Sequence, residues 1–314
     1  MNKLANMLLL MSVWSMASQA ADPIPDDLIW QRDPGAVALL KGQQVVWRFA
    51  YGTNEAKPCF HPLKLPNGPT LTEYRPADHP WHRALWFSWK YINGVNYWEE
   101  DAKTGVAEGL TEWQGTHIEA RLDYSALLTL NLTYRPANGK PIMMERREIL
   151  VRPPQADGGY SMDWTLTFTA GDTDLKLDRT PLPGEPDGKP HGGYAGLSVR
   201  FANALSDARA TSTTEPVEFK ADRYRGKATA MDYSGVIENQ EAGIAILDHP
   251  NNLNAPTPWY VINSKIMKYY SPAVVCYQPH ILKAGTRMTL RYRVFVHPGR
   301  WDAARLETEY NRYK

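Results

Sequence analysis

"SMDWTLTFTA", residues 161–170, sets Met162, Trp164, Leu166 and Phe168 on one side of the chain and Asp163, Thr165 and Thr167 on the other. An apolar side chain at every second position is the period of a half-buried β-strand. The alternation recurs in "LLTLNLTY", through Leu128, Leu130 and Leu132, and in "RMTLRYRVFVH", through Met288, Leu290, Tyr292, Val294 and Val296. The 24 prolines and 22 glycines punctuate the rest, which suits many short antiparallel strands. We read an all-β chain, a large antiparallel β-sandwich. One short helix is expected at its end, over "RWDAARLETEYNRYK", with Trp301, Ala304 and Tyr310 on its apolar stripe. The polar, Pro- and Gly-rich segment 172–193 reads as a long loop rather than a linker, because strand patterns of one kind continue on both sides. Residues 21–314 are therefore expected to form a single domain.

Composition limits the partners. The chain has 314 residues, 43% of them hydrophobic, and its 35 basic side chains face 34 acidic ones, so it can build a sizeable core but carries almost no net field. Nucleic acid is not an expected partner. The 11 Trp and 17 Tyr offer flat, amphipathic surfaces suited to carbohydrate. At the start, Lys3, an apolar run around Met7 to Val13 and small residues at Ser18 and Ala20 read as a secretory leader, residues 1–20, cleaved after Ala20. The apolar run is short of the roughly 20 residues a spanning helix needs, so a periplasmic or secreted protein is expected, with no membrane association beyond the leader. Cys59 and Cys276 could close one bridge there, which sequence leaves open.

The densest chemistry lies in "DHPWHRALWFSW", residues 78–89. Its prolines mark a loop, and "ALWFSWKY" alternates Trp86 and Ser88 against Phe87 and Trp89, which marks a strand. Histidines at a loop-to-strand junction can be held at the rim of a cavity. Pro80 separates His79 from His82, so the helical zinc pattern is missing, and no metal or cofactor is expected. Asp78 and Arg83 could instead form a local ion pair. In "EWQGTHIEARLDY", His117, Glu119, Arg121 and Asp123 share one strand face, either solvated or lining a cleft; "YAGLSVRFAN" likewise sets Ser198 and Arg200 against Leu197, Val199 and Phe201.

From about Lys57 to Gly299 the chain resembles the DUF6807 family, through "KPCFHPLKLPNGPTLTEYRPADHPWHRALWFSWKYINGVNYW", "GLSVRF", "MDYSG", "GIAILDHPNNLNAPTPWYV" and "LKAGTRMTLRYRVFVHPG". The label often attached to that family, "methane oxygenase PmoA", does not suit this sequence, since such a membrane subunit needs several spanning helices and no such run follows the leader. The resemblance implies a galactose-mutarotase-like sandwich. Its blocks fall on His61, Arg75, Asp78, His79, His82 and Arg83, then on Tyr194 and Arg200, then on Asp232, Tyr233, Asp248, His249, Asn252 and Trp259. Trp81, where relatives carry another His, and the segment around Tyr269 and Tyr270 depart from the pattern.

Histidine can move protons near neutrality and arginine can bind a carboxylate or stabilise negative charge. We therefore expect His79, His82 and His249 to converge with Arg83 and Arg200 in one catalytic cleft. His61, Arg75, Asp78, Trp86, His117, Tyr194, Tyr233, Asn252 and Trp259 are expected to help bind an oligosaccharide or polysaccharide fragment. Lyase or dehydratase chemistry fits this His- and Arg-rich set better than hydrolysis, which asks for a carboxylate pair from among Asp78, Glu119, Glu145, Asp232 and Asp248. A non-catalytic sugar-binding module is the reading from a different class.

Overall fold

The computed structural model describes residues 27–101 and 103–314; the leader lies outside them. Trp164 shows how the layers arise. On its strand, Tyr160–Ala170, it faces Ile149 of Met143–Val151 on one side and Tyr292 of Arg287–Pro298 on the other. Residues directly opposite in antiparallel strands share a face, and all three are buried. Repeating the pairing gives an eight-stranded sheet ordered Ser206–Ser212, Ala230–Ile237, Gln240–Asp248, Arg287–Pro298, Tyr160–Ala170, Met143–Val151, Ala126–Pro136, Gly109–Ala120.

A nine-stranded sheet covers it, ordered Leu28–Asp33, Ala36–Lys41, Gln44–Ala50, Cys59–Leu63, Leu85–Ser88, Gly196–Arg200, Lys268–Pro272, Pro258–Asn263, Arg223–Lys227. One apolar cluster draws Met162, Trp164, Leu166 and Phe168 from the first sheet and Phe60, Leu85, Phe87, Leu197 and Val199 from the second. Phe60 meets Trp164 at 5.7 Å between ring centroids and Phe87 meets Phe168 at 5.3 Å. This is a sandwich, and each large side chain buried in it contributes about 1.5–3 kcal/mol. Glu145 and Arg147 share this interior as an ion pair, Nε to Oε1 2.6 Å, with the Tyr134 hydroxyl donating to Glu145. Glu145 is thus a core residue, not a cleft carboxylate.

The same period of two decides the opposite face of the nine-stranded sheet. Where Leu85, Phe87, Leu197, Val199, Trp259 and Val261 point into the sandwich, Trp86, Ser198, Tyr260 and Ile262 point away from it. They are nonetheless buried, because loops cover them. The segment 172–193 supplies part of that cover. It is not all loop: Leu175–Asp178 pairs with His280–Leu282 and Tyr91–Ile92 in a small sheet that ends with Val95–Asn96. Cys59 and Cys276 belong to this outer cluster as free thiols, and burial pushes them up to about 12 and about 11.

The helix runs Ala303–Tyr313, with the Asp302 side chain accepting from the Arg305 N–H at its start. The expected stripe is corrected at Ala304, which is exposed; Trp301, just before the helix, and Tyr310 pack with the buried Leu306, and Glu309 is buried as well. Glu309 tolerates its position because Arg305 and Arg312 both reach it.

Candidate active site

The loop between Arg75 and Ala84 is folded on itself by the His79 N–H donating to Pro76 O, the His82 N–H to His79 O and the Arg75 N–H to His82 O. Arg75 and Ala84 hold left-handed φ values of 50° and 64°, a conformation that costs a residue with a β-carbon about 1–2 kcal/mol. Two buried guanidinium groups help to hold the loop in place. Arg200, on the sheet, donates to Asp78 at 2.9 and 3.0 Å and to Ile266 O at 3.1 Å. Arg83 donates to Glu100 at 2.7 Å and Pro80 O at 2.6 Å, with Lys57 on the other Glu100 oxygen at 2.9 Å. Arg83 therefore pairs with Glu100, and Asp78 with Arg200 and His79; the local Asp78–Arg83 pair does not form.

Above these struts lies a cavity of about 380 Å³, near the lower end of small-molecule sites. His79, Trp81 and His82 line it from the loop, Trp98, Glu99, His191 and Tyr194 from neighbouring segments, and Arg223, Tyr260, Ile262 and Tyr269 from the sheet; Ser264, Ile266 and Met267 complete it.

Its ionisable groups differ sharply. Burial would raise the Asp78 carboxyl, but the His79 hydrogen bond and Arg200 outweigh it and hold Asp78 below the usual carboxylate range. His79 Nδ1 lies 2.8 Å from Asp78 Oδ2. Beside a carboxylate the neutral imidazole keeps its proton on Nδ1, so Nε2 is its basic nitrogen. His82 stacks on His79 at 4.7 Å and Tyr269 at 5.6 Å and meets Trp86, tilted, at 5.1 Å. Burial, reinforced by His79, Arg200, Lys57 and Arg83, pushes His82 well below the ordinary histidine value, so it is neutral at pH 7. Its Nδ1 is buried without a hydrogen-bond partner among the described residues.

Glu99 is held as an anion. Burial would raise it, but Lys90 and the Tyr194 hydroxyl, donating at 2.8 Å, keep it low. Arg223 spends one donor on Ala221 O at 3.1 Å, and its buried Nε has no partner. The buried Tyr260 hydroxyl is also unpartnered. Across the Tyr260 ring lies Arg225 at 4.7 Å, already committed to the Gly192 and Pro190 carbonyls.

Of the residues singled out in the sequence, His79, Trp81, His82, Tyr194 and Tyr269 line the cavity, Arg83, Trp86 and Arg200 lie behind its wall, and Asp78, itself exposed, ties His79 to Arg200. The expected convergence does not extend to His249. It follows a strand of the other sheet and packs edge-on against Tyr313 of the helix at 5.7 Å. Tyr233 and Trp259 point into the sandwich and are core residues. Asn252 is a brace, bonded to Asp248 and to both backbone groups of Arg291. Asp232 is buried against His297 and Ser234. His117 is exposed on the eight-stranded sheet, and Asp123 falls in the turn beyond that strand. His61 bonds Thr72, stacks on Tyr74 and does not line the cavity; burial and then Arg48 push it down to about 4. Arg75 is exposed.

Sequence reasoning missed Trp98, Glu99, His191, Arg223 and Tyr260. A signal existed for two of them. In "RYRGK" Arg223 and Arg225 oppose Tyr224, and in "WYVIN" Tyr260 and Ile262 oppose Trp259 and Val261, so each strand carries a second, chemically distinct face. Among the described residues no group of three or more His, Cys, Asp or Glu is placed to hold a metal ion, and no helix is long and apolar enough to cross a membrane.

Residues 36–311 match the model of a family described as "Family of unknown function (DUF6807)". No curated protein matches the sequence. Among solved structures, the galactosidase domain of an α-galactosidase-sucrose kinase is similar at 8% identity and TM-score 0.45, over 87% of this chain and 42% of that one. The α-galactosidase from Lactobacillus brevis gives 9%, 0.43, 86% and 39%, so the chain spans well under half of either galactosidase. A putative aldose 1-epimerase from Klebsiella pneumoniae gives 8% identity and TM-score 0.44, over 88% of this chain and 82% of that one.

Proposed function

The chain belongs to the DUF6807 family, and from the geometry of its pocket we propose that it is a carbohydrate-active enzyme that removes a proton from a sugar carbon, with His79 as the base. The observation that carries this reading is the Arg200–Asp78–His79 chain, which ends at a ring on the wall of a cavity lined by Trp81, Trp98, Tyr194, Tyr260 and Tyr269. Aromatic walls pack against the apolar faces of sugar rings while polar groups at their edges meet hydroxyls.

β-Elimination follows in balanced form. The C–H bond breaks as Nε2 takes the proton, a C=C bond forms, and the β C–O bond breaks with its electrons on oxygen, which the imidazolium then protonates. Neutral His82 supplies a packed, uncharged neighbour to that ring. Hydrolysis fits less well. It needs two carboxyl groups across the scissile bond, one of them protonated, whereas among the described residues Glu99 is the one Asp or Glu lining the cavity, and it is held ionised.

Export to the periplasm or medium belongs to the same proposal and rests on the order of segments in residues 1–20. The native protein should begin at Ala21 by mass spectrometry.

The test is a screen of plant and algal oligosaccharides with mass readout. Elimination yields products whose masses sum to that of the substrate, and hydrolysis adds a water. His79→Gln should lower turnover by about a hundredfold or more with binding retained. Near-normal turnover in that variant, or products containing added water, would overturn the reading. Binding without turnover in the unmodified protein would make the chain a sugar-binding module.

A further inference from the structure

We propose that Arg223 and the Tyr260 hydroxyl bind the carboxylate of an acidic sugar, and that the ligand continues past them into a neighbouring groove, making it an acidic oligosaccharide. This rests on the carbohydrate reading and specifies its substrate class. The first observation is continuity. A second, more open cavity of about 810 Å³ shares Arg223, Ser264 and Ile266 with the aromatic pocket, so Arg223 stands at the junction of one longer cleft.

The second observation is an unsatisfied cation. Arg83 and Arg200 are each charge-paired with carboxylates, although Arg83 Nε and Arg200 Nη1 make no hydrogen bond, and Arg225 is held by the Gly192 and Pro190 carbonyls. Arg223 forms no ion pair among the described residues, and its Nε is buried without an acceptor. A buried donor left unpaired costs about 1–3 kcal/mol, and a ligand carboxylate would remove that cost with a bidentate contact. Arg223 lies beside the Tyr260 hydroxyl and opposes the upward push of burial there, first through a hydrogen-bonding approach and then through its charge, although no contact between them closes to full hydrogen-bond geometry. Tyr260 is only 1% exposed, yet its hydroxyl is without a partner. Together they place a guanidinium with an unpartnered Nε and a phenol hydroxyl on the wall of one cavity.

The groove favours the same sign. Lys265 and Lys268 line it, while its Asp207 is neutralised by Arg300 at 2.5 Å, leaving Asp222 as the opposing charge. A bound carboxylate also makes the carbon beside it acidic, which is what proton removal by a base in the same pocket requires.

The test uses calorimetric titration with trimers of galacturonate, mannuronate and guluronate, the same trimers after carboxyl reduction, and the corresponding monomers. At least one acid trimer should bind about tenfold or more tightly than its reduced form and than its monomer. Arg223→Gln should abolish the preference, bringing the acid trimer down to about the affinity of its reduced form, and Tyr260→Phe should weaken the preference less. Arg223→Lys, which keeps charge but not the fork, should restore part of it, and thermal melts of the variants check that they fold. Equal or tighter binding of reduced trimers, or a preference that survives Arg223→Gln, overturns the carboxylate subsite while leaving the carbohydrate reading in place. Equal binding of monomer and trimer overturns the groove. Failure of every glycan to bind removes the carbohydrate reading itself and this proposal with it.

Discussion

His79 and His82 touch ring to ring, yet burial gives them different chemistry. His79 faces a carboxylate and the cavity, whereas His82 is 5% exposed and packed against Trp86 and Tyr269. His82→Phe should therefore preserve the stack and keep turnover within about tenfold, with the acid limb of the pH–rate profile unmoved, because a histidine held neutral does not titrate there. His82→Ala, by contrast, should cost about 2–4 kcal/mol of stability by opening a cavity in the stack, read by denaturant melts. A profile that shifts in His82→Phe would assign proton transfer to His82 instead of His79. Asp78→Asn tests the other ring. An amide can present its N–H₂ to Nδ1 and so favour the wrong tautomer, and kcat should fall at least tenfold with little change in KM. An unchanged kcat would show that Asp78 merely ties the loop to Arg200. The loop's density of His and Arg was legible in the sequence. That His82 would be held neutral was not, since that depends on Trp86, Tyr269 and the distant cations packed around it.

Two segments of the chain read Asp-His-Pro, at residues 78–80 and 248–250, and their elements give them opposite chemistry. Asp78 meets the Arg200 guanidinium and is held ionised. Asp248 ends a strand of the eight-stranded sheet, where its donors are the uncharged Asn252 amide at 2.7 Å and the Thr257 N–H at 3.1 Å. Burial outweighs those two bonds and pushes it up to about 7. The groups facing it electrostatically are the neutral phenols of Tyr292, Tyr310 and Tyr313. Because its folded value is raised, the native state holds a proton that the unfolded chain releases between about pH 4 and 7. Its contribution to stability is therefore complete below pH 4 and lost as pH rises to about 7, by at most roughly 4 kcal/mol. Asp248→Asn mimics the protonated form and should flatten this part of the curve, so that the variant gains on the parent from pH 5 to 8 in urea melts. Parallel curves for the two proteins would rule out the titration. The expectation that His79 and His249 converge fails because the two segments belong to different sheets.

At the scale of the whole molecule, alternation made the strands legible but left the placement of the cleft open. Leu85, Trp86, Phe87 and Ser88 are all buried, so that strand shows no contrast between a core face and a ligand face, and the burial of the outer face depends on loops far away in sequence. The sandwich interior and the cleft are consequently two separable systems on opposite sides of one sheet, and the Glu145–Arg147 pair can test their independence. Both side chains are wholly buried between the sheets, with Arg147 over the rings of Phe87 and Trp164 at 5.8 and 5.9 Å. Glu145→Gln strands a guanidinium charge in the core and should cost about 3–5 kcal/mol. Replacing both, as Glu145→Leu with Arg147→Met, removes the charge along with its partner and should recover most of that loss, since a buried pair stabilises little beyond well-packed apolar side chains. Chemical denaturation of the single and double variants reads the difference. Turnover per folded molecule should stay close to that of the parent in the double variant, because Phe87 and Trp86 point to opposite faces of the sheet and the pocket rests on the latter. A double variant that regains stability but loses turnover would show that packing in the sandwich sets the position of the His79 loop through the sheet.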